Sequence, residues 1–212
     1  MKHITILSIT AFAILVSCQG TSNKISSDST TQSYELPDLY IPTDSTKFYF
    51  PANFDSFNNE WYSEHLFAMR EPILFFDSSQ TEIYRFVWLR TFHNPISIRI
   101  EKQQNICLLT WKLCNGAGGY EPGQLTIAKQ KQIDNAIWEK FKTLLTQIDF
   151  WNLDTEEKEI MGLDGSQWIL EGKKGEKYHV VDRWSPKNDK YSQCCDFLIK
   201  LTDLTFGDED KY

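Results

Sequence analysis

The side chains in this chain that could do covalent or proton-transfer chemistry are few and far apart. Cys107 and Cys114 form one pair, Cys194 and Cys195 another. Outside the cytoplasm such pairs can be oxidised. A bond between the neighbours 194 and 195 is strained, so a link from Cys107 or Cys114 to Cys194 or Cys195 is the easier geometry. The same four residues also suit buried free thiols. Redox exchange would want Cys-x-x-Cys, which is missing, and no histidine accompanies the cysteines at zinc-finger spacing. No metal or other cofactor is expected. Beyond residue 18 the histidines are His65, His93 and His179. His179 and Asp182 are three residues apart on one expected strand and point to opposite faces. A Cys195–His179 nucleophile–base pair would have to meet in space. Neither Gly-x-Ser-x-Gly nor His-Glu-x-x-His occurs. The loop bearing Gly116, Gly118 and Gly119 fails as a nucleotide fingerprint, because Glu121 stands where the third glycine belongs. It reads as a flexible connection, or as a place where a partner approaches the backbone.

A different chemistry, recognition rather than reaction, is carried by Trp168, Tyr178, Asp182, Arg183 and Trp184. Flat aromatic faces beside hydrogen-bonding ions suit a sugar ring or a peptide. Aromatic residues in strands equally suit a sheet core. These residues belong to the string Asp164-Gly165-Ser166-Gln167-Trp168-Ile169-Leu170-Glu171, followed by Tyr178 and by Arg183-Trp184-Ser185-Pro186. The string, about 45 residues with the last helix, resembles a segment of bacterial envelope proteins to which no activity is attached. The resemblance therefore implies no function.

The N-terminus is more specific. Lys2 precedes an apolar run from Ile4 to Val16, too short for the roughly 20 residues of a membrane-spanning helix. Such a run fits a secretory signal peptide. It ends in Leu15-Val16-Ser17-Cys18. This lipobox resembles that of bacterial lipoprotein precursors. The resemblance implies cleavage before Cys18, diacylglyceryl transfer to its thiol, and a membrane anchor at the new N-terminus. Several acyl chains make anchoring durable, at roughly 0.8 kcal/mol per buried methylene. Gln19, rather than Asp, follows the cysteine. In the sorting rule known for such lipoproteins this leans towards the outer membrane, facing the periplasm.

The remaining chain must position these groups. Residues 19–33 are mostly Ser, Thr, Asn and Gln and cannot bury enough surface to offset ordering entropy. The expected organisation is a signal peptide over 1–17, a flexible tether over 18–45 and one domain over 46–212. Strands are expected over 83–92, 96–102 and 106–113, a meander in which Ile96, Ile98 and Ile100 share one face and Ser97, Arg99 and Glu101 the other. Residues 71–76 and 124–127 are further short strand candidates. A short helix is expected near 60–69 in an otherwise irregular, aromatic-rich segment. The main helices are expected over 133–148 and 188–204, flanking a hairpin over 167–170 and 178–184. The fold class is therefore α+β, a mainly antiparallel sheet (meander plus C-terminal hairpin) packed by two helices.

Composition narrows the function. The chain has 212 residues and a formal net charge of −7, which becomes more negative when Lys2 is removed. This excludes nucleic acid as an expected partner, since phosphate neutralisation needs clustered Lys and Arg. The expectation is a lipid-anchored envelope protein with a non-catalytic binding or interaction domain. Its partners would be the membrane, through the lipid, and a protein, peptide or glycan. An envelope-acting hydrolase and an inhibitor or immunity-type lipoprotein are the alternatives.

Overall fold

The computed structural model describes residues 39–157, 162, 164–207 and 210, all within the unit Glu35–Tyr212. The lipobox, Cys18 and the expected tether up to residue 38 lie outside the described residues. Six strands form one antiparallel sheet in the order β4-β3-β2-β1-β5-β6: β1 Glu82–Arg90, β2 Ile96–Gln103, β3 Ile106–Cys114, β4 Leu125–Ile133, β5 Ser166–Lys174 and β6 Lys177–Trp184. The helices are α1 Ser56–Ala68, α2 Asn135–Gln147 and α3 Lys190–Leu201. The α+β class and the antiparallel sheet are as expected.

The meander follows from chain length. Two residues join β2 to β3, with Gln104 at φ +53°, and two join β5 to β6, with Gly175 at φ +58°. Connections that short admit only antiparallel neighbours. One sheet face carries the expected row Ile96, Ile98 and Ile100 of β2, together with Tyr84, Phe86 and Trp88 of β1 and Cys107, Leu109 and Trp111 of β3. Trp138, Phe141 and Leu145 of α2 and Cys194, Cys195 and Leu198 of α3 close this core. Helix α3 starts on a capping box, Asp189 with Ser192, which satisfies two otherwise orphaned N–H groups.

The other face is covered too, and here the structure departs from expectation. Three helices pack the sheet rather than two: α1 begins earlier than expected, capped by Asp55, and lies with Tyr49, Phe50 and Phe54 against Val87, Leu89, Ile169 and Val180. No apolar stripe announces it. Its buried residues include Asn59 and Ser63, whose side chains accept from the N–H groups of Phe50 (3.3 Å) and Tyr49 (2.8 Å). Residues 71–76 form no strand; they place Glu71 under the sheet instead. Strand β4 runs on through Lys129-Gln130-Lys131-Gln132, an exposed charged edge of the kind that resists further strand addition, and this delays α2 to Asn135.

Beneath α1 the sheet carries a buried ionic network. Arg85 donates to Glu171 through Nε at 2.7 Å, with a second nitrogen 2.5 Å away. Glu71 meets Arg99 at 3.2 Å and Lys112 at 2.9 Å, and Arg99 meets Glu101 at 2.5 Å. Burial would push the Glu71 pKa up; Arg99, Lys112 and Arg85 outweigh it and hold it at about 2.

Candidate functional site

Beside this network, at the β6 edge, lies an open groove of about 1120 Å³. Helix α1 supplies one wall with Phe57, Glu60, Trp61 and Glu64, one stripe at helical spacing. The glycine loop supplies Tyr120 and Glu121, and the sheet end supplies Glu156, Glu157, Asp182 and Trp184. Asp55 and Thr91 also face it. Among the described residues no basic side chain lines it.

Each wall is fixed by the local sequence. The glycine loop is a packed turn rather than a flexible connection, and what approaches its backbone is the chain itself. A Cβ on Gly118 would stand 2.5 Å from the Arg90 nitrogen, and one on Gly116 would stand 2.1 Å from the Glu121 oxygen. The Gly118 N–H donates to the His93 carbonyl (2.9 Å), and its own carbonyl accepts from Trp61 Nε1 (3.0 Å). That contact ties the loop to α1 and sets Tyr120 and Glu121 on the rim. Gly165 lies against the Trp184 indole, where a Cβ would be 2.5 Å from the ring.

Asp182 is the floor. It is 6% exposed, its Oδ2 accepts from Tyr62 of α1 at 2.8 Å, and its Oδ1 is buried with no hydrogen-bond partner. Thr155 and Glu156 run alongside β6: the Asp182 N–H donates to Thr155 at 2.7 Å, and Glu156 bridges to Asp182. Burial, helped by the neighbouring Glu156 charge, pushes the Asp182 carboxyl up to about 7. On the α1 wall, burial and then the facing Glu121 carboxyl raise Glu64. Glu157 pairs with Arg183 at 3.0 Å. Among the described residues none of the other six groove carboxyls has an ion-pair partner.

The five residues expected as a ligand surface do not lie on one side. Asp182 and Trp184 line the groove. Tyr178 shares their face but is consumed by the buried network, donating to Glu171 at 2.8 Å. Trp168 and Arg183, paired across β5 and β6, point to the opposite face. There Trp168 is core, its ring 5.2 Å from those of Phe86 and Trp88, and Arg183 lies over Tyr191. The α1 stripe and the Tyr120–Glu121 rim were not among the expected site residues. Their one sequence signal is the acidic–aromatic spacing of Phe57, Glu60, Trp61 and Glu64.

The four cysteines stand as buried free thiols, not as the expected cross-link. Cys114 lies on the α1 face of the sheet, while Cys194 and Cys195 lie in the core on the other, so the sheet itself separates them. Burial pushes the Cys194 thiol up to about 12, Cys114 to about 11 and Cys195 well upward. An activated nucleophile needs the reverse. His179 packs on Phe150 and Trp151, its pKa lowered by burial, and has no hydrogen bond to Cys195 among the described residues. Among the described residues no helix is long and apolar enough to cross a membrane, and no group of His, Cys, Asp and Glu is arranged to hold a metal ion. No protein-family model matches the chain, and a search of curated proteins finds no match.

Proposed function

We propose that this is a lipid-anchored protein of the bacterial cell envelope, held through Cys18 at the outer membrane and facing the periplasm, whose domain is a non-catalytic binding module for a peptide, glycan or protein. The lipobox Leu15-Val16-Ser17-Cys18 supports the anchor. The observation that carries the binding reading is the groove, a concave surface whose described residues include four aromatic residues and seven carboxyls, with no histidine and no cysteine among them. Two experiments test it. Cys18→Ala should abolish palmitate labelling and release the protein from membranes; labelling that persists refutes the anchor. A photo-crosslinking amino acid at Phe57 or Tyr120, 71% and 63% exposed on the groove, should give a discrete adduct in intact cells. The same group at Lys140, far from the groove on α2, should not.

One observation favours a second reading, an envelope-acting hydrolase. A carboxyl held near pH 7 in a cleft, beside a second carboxyl at Glu156, is what a general acid requires. Turnover of envelope polysaccharide or peptide that is lost in Asp182→Asn would establish that reading over the binding one.

A further inference from the structure

We infer that the groove takes an alkylammonium group, with the buried Asp182 Oδ1 as its counter-charge and the rings of Trp61, Tyr120 and Trp184 as its walls. This rests on the binding-module reading and names the chemical class of the ligand.

The first ground is uncompensated charge. Elsewhere under α1 the fold meets a buried acid with a base, as Glu71 meets Arg99 and Lys112. In the groove, among the described residues, it does not. Arg183 follows Asp182 directly, yet strand alternation turns its side chain away from Asp182; it pairs instead with Glu157 and donates to the carbonyls of Asp154 and Thr155. The second ground is the orphaned acceptor. Asp182 and the adjacent Glu156 line the groove, and Oδ1 of the one and Oε1 of the other are buried and unpartnered. Buried polar atoms are rarely left unbonded, and a donor supplied by a ligand would complete both. The third is the wall material. Aromatic faces attract a desolvated cation, and they do so alongside carboxylates without competing for its N–H donors. A bare metal ion fits less well, because it needs several oxygens converging on one point and no such group is present among the described residues.

An ammonium group reaches such a groove either on a free polyamine or on a lysine side chain of a peptide. The test separates these by titrating the full-length protein, followed by Trp61 and Trp184 fluorescence, with spermidine, with a tri-lysine peptide and with its tri-norleucine counterpart. A neutral oligosaccharide serves as a fourth probe. Saturable binding of spermidine or tri-lysine, weakened by screening at about 0.3 M salt, is expected. Binding of both identifies the ammonium group alone as the determinant; binding of tri-lysine only assigns the peptide source. Asp182→Asn should weaken it about tenfold, and the exposed triple variant Glu60→Gln/Glu64→Gln/Glu121→Gln about fivefold. The triple variant alters surface carboxyls only, so it keeps the test open if Asp182→Asn folds poorly. Norleucine binding as tightly as lysine, or unchanged affinity in both variants, overturns the inference. Oligosaccharide binding without ammonium binding also overturns it while leaving the binding-module reading intact. Loss of that reading would show instead as turnover of a probe.

Discussion

Asp182→Asn tests the electrostatics of the groove without any ligand. A carboxyl held at about 7 in the folded protein, against 3.8 when unfolded, keeps its proton in the native state over about three pH units where the unfolded chain has lost it. The sign follows. This contribution to stability is fully present below about pH 4 and is lost as pH rises through about 7. At 1.36 kcal/mol per unit the whole span is about 4 kcal/mol, and the part between pH 5 and pH 8 is about 2.5 kcal/mol. Other groups pull the opposite way. His65 and His179 have pKa values lowered by burial, so they favour the native state more as pH rises. The Glu71 carboxyl, at about 2, is ionised in the native state throughout this window. Only the difference between wild type and variant isolates Asp182. The amide keeps an oxygen to accept from Tyr62 and puts an NH2 where Oδ1 was, next to the unpartnered Glu156 oxygen. Urea unfolding at both pH values should find the stability of the variant relative to wild type rising by about 2.5 kcal/mol from pH 5 to pH 8, a change of about 1 M urea in the separation of their midpoints. A difference that is the same at both pH values would refute the placement of an uncompensated carboxyl there.

Three further perturbations address the rest of the molecule. Glu71→Gln removes the negative charge that Arg99 and Lys112 share and one of the two oxygens they use, and should cost about 3 kcal/mol in urea unfolding; a loss under about 1 kcal/mol would mean the network is not buried as described. Gly118→Ala drives a methyl into the β1 backbone and should cost about 2 kcal/mol by thermal melting, with the Trp61 environment altered; an unchanged melt would contradict the packed loop. Iodoacetamide should leave Cys107, Cys114, Cys194 and Cys195 unmodified in the folded protein and modify all four after unfolding without reductant; a cross-linked pair in the mass map would restore the disulfide.

Legibility in the sequence tracks apolar periodicity. Ile96, Ile98 and Ile100 define β2 because one face of it is buried against α2 and α3, and period two then leaves no freedom. The α2 stripe Phe141, Leu144 and Leu145 is read for the same reason. Helix α1 escapes that reasoning. It buries Asn59, Ser63 and His65, so its inward face looks like an outward one; its work is to satisfy the backbone of residues 49–50 and to hold Trp61 against the glycine loop. The row Ser97–Arg99–Glu101 hides in the same way. Alternation places it opposite the isoleucines but cannot say that residues 39–77 cover it. The aromatic string of β5 and β6 is visible, but whether each ring faces core or groove depends on how β5 pairs with β1, far earlier in the chain.

The polar face under α1 contains both a structural ion network and the candidate site, and compensation is what separates them. Arg85, Arg99 and Lys112 stand against Glu71, Glu101 and Glu171, each within salt-bridge reach of an opposite charge. Such a network is costly to break from one side, yet it asks nothing of a ligand. A few residues along the sheet the matching stops. Asp182 keeps one oxygen bonded to Tyr62 and leaves the other unpartnered, Glu156 Oε1 beside it is unpartnered too, and Glu64 faces Glu121 across the opening. Carboxylates drawn together with no base beside them among the described residues destabilise the free protein, and a cation that binds there relieves that repulsion as it gains its own contacts. Affinity at such a site is set by what the fold leaves unpaired, so neutralising Asp182 should raise the stability of the empty domain relative to wild type from pH 5 to pH 8 and weaken the ligand by the same substitution.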